Sequence, residues 1–214
     1  MADVDETIRA YDRIAQAWRD ARVAGSADFQ ERVLLDRLVL PLPPDAQILD
    51  VGCGCGEPIT AYLAERGVEV VGLDGSARML DLARRAVPKA TFVLGEMRTA
   101  DPGGPFDAVV AWDSVFHIPR TDHRNIFTRF GSWLRPGGRL LVSLGGSGEA
   151  TFTSQMHGET FFYDGHEPSE ALRIIESTGF RIEHWEVDDP SSRGHIAVLA
   201  VREQPRHGRS MGDR

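Results

Sequence analysis

The chain has 214 residues, a length that suits one domain with a sizeable hydrophobic core. Its formal net charge of −8 disfavours a nucleic-acid partner, because an acidic surface repels phosphate groups. Although 42% of the residues are hydrophobic, no apolar run is long enough to cross a bilayer, and the first residues lack the basic-then-apolar order of a signal peptide. We therefore expect a cytoplasmic protein that acts without nucleic acid or membrane.

Two helices are predicted before the first strand, within residues 1–45. Apolar residues recur at helical spacing in the first of them: Val4, Ile8, Tyr11, Ala15 and Trp18. Asp3 and Glu6 fit the N-cap of this helix and the return partner of that cap. The second helix is expected from about Ala27 to Leu40, where prolines end it because proline cannot continue the hydrogen-bond ladder. We expect these helices to lie on the substrate side or to form a lid.

Short apolar segments and helical segments then alternate. Segments rich in Val, Ile and Leu predict five strands buried on both faces: Gln47–Val51, Glu69–Leu73, Thr91–Leu94, Asp107–Trp112 and Arg139–Leu144. Three helices are predicted between them: Pro58–Arg66, Ala77–Ala86 and Asp122–Leu134. Pro58 suits a first helical turn, Gly67 a helix stop, and Ser76 an N-cap. The alternation predicts a parallel sheet covered by helices on both faces.

The C-terminal third has a different pattern. Pro168–Ser177 predicts a helix, and Phe180–Val187 and His195–Val201 predict two strands whose short link makes them antiparallel. Before them, Gly145–Glu167 is expected to be a long loop with clustered aromatic and histidine residues, of the kind that forms lids or binding loops. Residues 203–214 are expected to form a disordered tail, because they have almost nothing apolar to bury.

The strongest functional motif follows the first strand. Asp50-Val51-Gly52-Cys53-Gly54-Cys55-Gly56 places an acid before a glycine-rich loop that opens a helix. Glycines let a ligand approach the backbone closely, and the loop amides form a polar cradle with the helix N-terminus. The third glycine comes two residues after the second, whereas the dinucleotide fingerprint places it three residues after. This Asp-x-Gly-x-Gly-x-Gly pattern resembles the first motif of the class I S-adenosylmethionine-dependent methyltransferases.

Further motifs extend that resemblance over residues 46–145. Asp74 ends the second strand about 20 residues beyond the glycine loop, where an acid accepts ribose hydroxyls. Glu96-Met97 follows the third strand, and Leu134-Arg135-Pro136-Gly137-Gly138 is similar to the family's Leu-x-Pro-Gly-Gly marker before the fifth. The sequence departs from the family at Cys55, where Thr or Ser is usual, and at Glu96, where Asp is commoner.

The resemblance implies a fold and a cofactor. Residues 1–202 are expected to form a single domain, a three-layer α/β Rossmann-like sandwich with a mostly parallel seven-stranded sheet and a C-terminal antiparallel β-hairpin. The implied cofactor is S-adenosylmethionine, with S-adenosylhomocysteine as product, in a monomer or homodimer. In the family, the first acid and the glycine loop hold the amino-acid end of the cofactor, which carries an ammonium. The predicted cofactor-binding residues are Asp50, Gly52, Cys53, Gly54, Gly56, Asp74, Gly75, Met79, Glu96, Met97 and Trp112.

Residues after the fourth strand are expected to face the site, because ligands of this fold bind at the carboxyl edge of the sheet. Asp113 and His117 are the predicted catalytic residues. A hydroxyl acceptor needs a base, and an imidazole titrates near neutrality. The alternative for His117 is packing against the next helix. The predicted substrate residues are Tyr11, Trp18, His157 and Tyr163, for which packing is again the alternative.

No metal site is expected. Cys53 and Cys55 lie two residues apart on a tight loop, which is a poor geometry for a disulfide. A metal site needs further ligands, and the sequence offers no nearby cluster of His or Cys. The two cysteines are therefore interpreted as small residues beside a tight turn.

The function implied by the resemblance is in-line transfer of a methyl group to an O, N or S atom of a small molecule. Three alternatives stay open: a cofactor-binding protein without turnover, a nicotinamide oxidoreductase, and a methyltransferase acting on protein or RNA. The glycine spacing and the turn at Pro136-Gly137-Gly138 argue against the oxidoreductase. Acidity argues against an RNA substrate. The sequence leaves the acceptor and the methylated atom undetermined.

Overall fold

The computed structural model describes residues 4–24, 31–145, 151–189 and 195–204. The helices are α1 Val4–Ala24, α2 Arg32–Val39, α3 Ile59–Glu65, α4 Ala77–Ala86, α5 His123–Trp133 and α6 Pro168–Ser177. The strands are β1 Gln47–Val51, β2 Glu69–Asp74, β3 Thr91–Leu94, β4 Phe106–Ala111, β5 Leu134–Leu144, β6 Phe152–Met156, β7 Glu159–Tyr163, β8 Phe180–Asp189 and β9 His195–Arg202. Among the described helices, none combines the length and apolarity needed to cross a membrane.

Seven strands form the central sheet in the order β3-β2-β1-β4-β5-β9-β8. The first five strands along the chain pair in parallel, whereas β9 is antiparallel to both β5 and β8. The predicted sandwich with a C-terminal antiparallel hairpin is therefore confirmed. The strand order reverses between β1 and β4, and ligands of open α/β sheets bind at the carboxyl ends of strands beside such a reversal.

The core lies on both faces of this sheet, because successive residues of a strand point to opposite faces. Leu49 of β1 and Val109 of β4 belong to the apolar cluster formed with α5 and α6. Their neighbours Ile48 and Val110 belong to the cluster formed with α2 and α3. Strands buried in this way on both faces read as continuous apolar runs, which is why the sequence identified them.

Local sequence explains where the helices begin and end. The Ser76 hydroxyl accepts a hydrogen bond from the Met79 amide at 3.1 Å, so the predicted N-cap of α4 is confirmed. Gly67 follows α3 with a φ of +85°, the left-handed conformation expected of a helix stop. Pro58 occupies the N-cap position of α3, one residue before the first turn in which it was expected.

Three segments differ from the sequence predictions. The predicted loop Gly145–Glu167 contains an antiparallel hairpin, β6–β7, in which successive residues pair from Phe152 with Tyr163 to Met156 with Glu159. β5 begins at Leu134 and includes the expected turn before Arg139 as an irregular stretch of its pairing with β4. α2 begins at Arg32, and residues 27–30 of the predicted second helix lie outside the described residues. Asp3 and residues 205–214 of the predicted tail also lie outside them.

We expect Phe127→Ala to lower the free energy of unfolding by about 3–5 kcal/mol, because Phe127 is 1% exposed in the core under α5 and its loss leaves a cavity. Urea denaturation measures the change. Phe152→Ala is the matched control, since Phe152 is 50% exposed, and its cost is expected to be about 1 kcal/mol or less. Equal losses in the two variants would contradict this description of the core.

Candidate functional site at the carboxyl edge of the sheet

A cavity of about 940 Å³, counted with the space at its mouth, lies where β1, β2 and β4 end. Its lining comes from α1 and from the loops after β1, β2, β3 and β4: Val4, Thr7, Ile8, Tyr11, Trp18, Arg22, Asp50, Gly52, Cys53, Gly54, Glu57, Pro58, Ile59, Leu73, Asp74, Gly75, Met79, Gly95, Glu96, Met97, Trp112, Asp113, Ser114, His117 and Ile118.

The loops after β1 and β4 cross at Gly52 and Ser114. Gly52 has a φ of +74°, and a Cβ placed on it would lie 2.4 Å from the Ser114 Cβ, so only glycine fits. The Ser114 hydroxyl donates to the Val51 carbonyl at 3.0 Å, and the Gly52 amide donates to the Leu73 carbonyl at 2.7 Å. These contacts bring the ends of three strands into one site.

Asp74 is held by backbone amides from two directions. Its carboxylate oxygens accept from the Gly54 amide at 2.9 Å and from the Ser76 amide at 2.8 Å. Burial raises the pKa of Asp74, and these two hydrogen bonds offset only part of that increase. Each oxygen keeps a lone pair for a ligand, so the carboxylate can accept two further hydrogen bonds in a fixed orientation.

Asp50 is buried at the end of β1 beside the glycine loop. Thr60 donates to its carboxylate at 2.6 Å. Burial raises the pKa of Asp50 to about 7, because the hydrogen bond from Thr60 offsets the desolvation only in part and the charge of Asp74 adds to it. A buried carboxyl group of this kind has a strong electrostatic preference for a cation brought by a ligand.

Glu96 and Met97 form the wall that follows β3. The carboxylate of Glu96 accepts from the Arg98 amide at 3.0 Å and from the Arg98 guanidinium at 2.9 Å. The Met97 carbonyl accepts from Arg129 at 3.0 Å. Both residues are thus fixed on the lining of the cavity by neighbouring arginines.

α1 crosses the mouth of the cavity and is tied to its rim. The carboxylate of Asp12 accepts from the Ser76 hydroxyl at 2.5 Å, at the start of α4. Arg19 forms an ion pair of 2.7 Å with Glu57, in the loop after β1. The Trp18 ring faces Gly54, since a Cβ on that glycine would lie 3.6 Å from it. The inner surface of α1 is therefore part of the site.

Tyr11 and His117 form a hydrogen-bonded pair in which His117 is buried and Tyr11 is partly exposed to the cavity. His117 Nδ1 donates to the Phe162 carbonyl at 2.8 Å, since a carbonyl can only accept. His117 Nε2 carries no proton in this neutral ring, so it accepts a hydrogen bond from the Tyr11 hydroxyl at 2.9 Å. Burial lowers the pKa of His117 to about 4 and raises the pKa of Tyr11 well above its usual value. The expectation that His117 titrates near neutrality is therefore wrong.

Asp113 lies at the centre of an ion-pair network beyond the end of β4. Its carboxylate is 3.5 Å from the Arg22 guanidinium and 3.4 Å from His195 Nε2. Its amide donates to the Ser143 hydroxyl at 2.7 Å. His195 Nδ1 donates to Asp188 at 2.6 Å. Burial raises the pKa of Asp113, but the hydrogen bond from His195 and the charge of Arg22 outweigh burial, so the pKa lies below its usual value.

Fourteen of the predicted site residues line the cavity: Tyr11, Trp18, Asp50, Gly52, Cys53, Gly54, Asp74, Gly75, Met79, Glu96, Met97, Trp112, Asp113 and His117. Three are placed elsewhere. Gly56 packs towards Ala83 of α4, His157 is exposed in the turn between β6 and β7, and Tyr163 lies behind His117 with its ring stacked on Phe152. His157 and Tyr163 differ from the sequence prediction because both belong to the β6–β7 hairpin, whereas Gly56 differs because it packs against α4.

Sequence reasoning did not find His195 and Ser143, and it did not predict that Arg22 contacts Asp113. His195 begins β9 and Ser143 lies in β5, two strands that the sequence identified as core. No local motif marks either residue, because they reach Asp113 only through strand pairing. Across the described parts of the chain, no group of three His, Cys, Asp or Glu side chains is arranged to hold a metal ion.

Known proteins match this chain in sequence. A family model described as a methyltransferase domain matches residues 48–138. The trans-aconitate 2-methyltransferase of Azoarcus sp. (strain BH72) is 35% identical over 130 residues, which cover 59% of this chain and 50% of that enzyme. The chain spans about half the length of this relative, and the matches with other curated relatives cover between 21% and 52% of their lengths.

Solved structures match the fold over nearly the whole chain. The structure of DhpI in complex with S-adenosylhomocysteine gives a TM-score of 0.74 at 20% identity, covering 96% of this chain and 98% of that chain. The 1,6-didemethyltoxoflavin-N1-methyltransferase of Burkholderia thailandensis, solved with 1,6-didemethyltoxoflavin and S-adenosylhomocysteine bound, gives 0.69 at 22% identity, covering 95% and 92%. Residues 48–138 therefore match a methyltransferase domain in sequence, and the chain has the fold of the class I S-adenosylmethionine-dependent methyltransferases.

We expect Tyr11→Phe to lower the free energy of unfolding by about 1–3 kcal/mol, because it leaves the buried His117 Nε2 without its donor. Chemical denaturation at pH 7 gives the value. Tyr62→Phe is the matched control, since its hydroxyl donates to Asp36 at the surface, and we expect it to cost less than about 1 kcal/mol. A Tyr11 variant as stable as the control would contradict the hydrogen-bonded pair.

His195→Gln tests the ion-pair network around Asp113 through pH. Burial lowers the pKa of His195, but hydrogen bonds to Asp113 and Asp188 outweigh it and raise the pKa to about 9. Because the pKa of His195 is higher in the folded protein, its contacts with Asp113 and Asp188 stabilise the fold fully below the unfolded pKa of about 6.5. That stabilisation disappears as the pH rises through 9. We expect the variant to be less stable by about 1.5–3 kcal/mol at pH 6, with the difference narrowing by pH 9.5. Parallel stability curves for the two proteins would contradict the network.

Proposed function

We propose that this protein transfers a methyl group from S-adenosylmethionine to a small molecule. The observation that carries the proposal is the cavity at the strand-order reversal, where the glycine loop, Asp50, Asp74 and Glu96 share one lining. The sequence match to a methyltransferase domain and the class I fold also support methyl transfer. The named relative acts on trans-aconitate, and the Burkholderia enzyme was solved with 1,6-didemethyltoxoflavin bound, both of them small molecules.

The residues along the cavity fit the three parts of this cofactor. Asp50 suits the ammonium, since Thr60 is its hydrogen-bond donor among the described residues and burial disfavours its charge without a cation. Asp74 is oriented by two amides and keeps acceptor capacity for ribose hydroxyls. Met97 offers an apolar surface and Glu96 an acceptor for the adenine. When bound, the cofactor supplies a methyl group already activated by its sulfonium.

The residues of this chain then orient the acceptor and exclude water. Correct alignment of two reactants is worth an effective molarity of about 10⁵ M or more, so a preorganised site suffices for an activated donor. α1 acts as a lid in this proposal, because Asp12, Tyr11, Arg19 and Arg22 attach it to four places on the rim. His117 acts by fixing the Tyr11 hydroxyl, since its pKa of about 4 makes it a poor base at pH 7.

Two measurements test the proposal together. Calorimetry is expected to show binding of S-adenosylmethionine and S-adenosylhomocysteine in the micromolar range. Labelled methyl groups are expected to reach at least one member of a panel of small amines, phenols, thiols and carboxylic acids. Failure to bind either compound at millimolar concentration would contradict the proposal. Binding without transfer to any acceptor would favour a cofactor-binding protein without turnover.

We expect Asp74→Asn to weaken S-adenosylhomocysteine binding by about 10- to 100-fold, because an amide offers one acceptor oxygen where two N–H groups now bind. Calorimetry on the folded variant measures the affinity. Asp81→Asn is the matched control, since it makes the same change on an exposed face of α4 where its carboxylate pairs with Arg84. Unchanged affinity in the Asp74 variant would remove this residue from the cofactor site.

A further inference from the structure

The end of the cavity beside β4 has a charge and hydrogen-bonding character of its own. Tyr11, Trp18, Arg22, Trp112, Asp113 and His117 line it, and we call this part the β4 end. Among all lining residues that the structure describes, the acids are Asp50, Glu57, Asp74, Glu96 and Asp113, and Arg22 is the one arginine or lysine. Arg22 is already paired with Glu31 at 3.2 Å and with Asp113 at 3.5 Å.

Asp113 presents a fixed carboxylate to this space. Its side chain is 36% exposed and lines the cavity, so a ligand can reach it. Ser143 and His195 contact one oxygen at 3.3 and 3.4 Å, and Arg22 contacts the other at 3.5 Å. The backbone of Asp113 is left-handed with a φ of +49°, a conformation that is uncommon outside glycine and often found at functional sites. These contacts hold the carboxylate in place while lone pairs remain for a ligand.

The Tyr11 hydroxyl also presents an acceptor. Its proton is donated to His117 Nε2, so the remaining function of its oxygen is to accept. The Tyr11 oxygen and the Asp113 carboxylate can therefore both accept hydrogen bonds from N–H or O–H groups of the bound molecule. The aromatic rings of Tyr11, Trp18 and Trp112 around them favour a flat or cationic partner.

Given the proposed methyl transfer, on which this inference rests, we infer that the acceptor is an amine whose nitrogen is methylated while its N–H groups donate to Asp113 and Tyr11. The amine first loses a proton to water, and its uncharged nitrogen then uses its lone pair to form the new N–C bond as the C–S bond of the sulfonium breaks. That electron pair stays on sulfur, and the nitrogen becomes cationic before it releases a proton to water. Asp113 stabilises the positive charge as it develops on the nitrogen.

Other nucleophiles fit the β4 end less well. An alcohol must lose its proton to a base, and neither His117, whose pKa is about 4, nor the ionised Asp113 is a strong one. A thiolate, phenolate or carboxylate brings a negative charge to a lining with five acids and one paired arginine. Trans-aconitate, the substrate named for the relative, is such a carboxylate, so the lining here favours a different acceptor class.

Matched probes test the inference on the protein saturated with S-adenosylhomocysteine. Benzylamine, phenethylamine and tryptamine are each compared by calorimetry with the alcohol and the carboxylate of the same skeleton. A separate assay, without added S-adenosylhomocysteine, measures transfer of labelled methyl groups from S-adenosylmethionine to each compound. We expect at least one amine to bind and to accept methyl groups, with its alcohol and carboxylate at least 10-fold weaker. Preference for an alcohol or a carboxylate, or no binding by any amine, overturns the inference.

Asp113→Asn tests the negative charge of Asp113, because asparagine has nearly the same shape but is uncharged. We expect it to lower kcat/KM for the best amine by about 10²-fold while the affinity for S-adenosylhomocysteine stays within about threefold. Asp81→Asn on α4 is the control and is expected to match the wild type. Unchanged amine methylation in Asp113→Asn overturns the inference. If the wild-type protein does not bind S-adenosylhomocysteine, the result counts against the proposed function. Failure of the amine inference and failure of the proposed function are therefore distinguishable.

Discussion

The crossing of the loops after β1 and β4 is the constraint on which the site depends. These strands are neighbours in the sheet, but the chain leaves them towards opposite edges, so a crevice opens between their carboxyl ends. The backbone of Gly52 fills the crossing so closely that a Cβ there would overlap Ser114. This contact sets how near the glycine loop comes to Asp113. A wider crossing would separate the proposed cofactor side of the cavity from the β4 end.

The two ends of the cavity differ in how the charge of their carboxyl groups is compensated. Asp50 has Thr60 as its hydrogen-bond donor and a pKa raised to about 7, whereas Asp113 is contacted by Arg22 and His195 and has a lowered pKa. A buried carboxyl without a cation favours binding one, while a compensated carboxylate stays ionised without a ligand. The first arrangement suits recognition of an ammonium, and the second suits stabilisation of charge that appears during a reaction.

Particular residues show how far the sequence could predict the site. Asp50, Gly54 and Asp74 were found because each lies at or just after the end of a buried strand in a motif of fixed spacing, and strand ends must meet at the carboxyl edge. The stripe of Ile8, Tyr11 and Trp18 was found as a helical pattern, but periodicity does not distinguish a core from a cavity wall. His117 was found by position, but its pKa was wrongly predicted, because burial lowers it. The Phe162 carbonyl decides which ring nitrogen of His117 carries the proton. His157 was placed in the site because a loop was expected where β6 and β7 form a hairpin.

The sequence by itself determined the alternation of strands and helices, the glycine loop and the acids at the ends of β1 and β2. These features depend on residues close together in the chain, where burial period, helix caps and backbone freedom are local properties. Only the tertiary structure decided which groups surround Asp113. Arg22, Ser143 and His195 come from α1, β5 and β9, and pairing of β5 with β9 brings the last two together. Long-range pairing sets such distances, and with them the pKa of each buried group, because electrostatic coupling depends on separation and burial rather than on position in the chain.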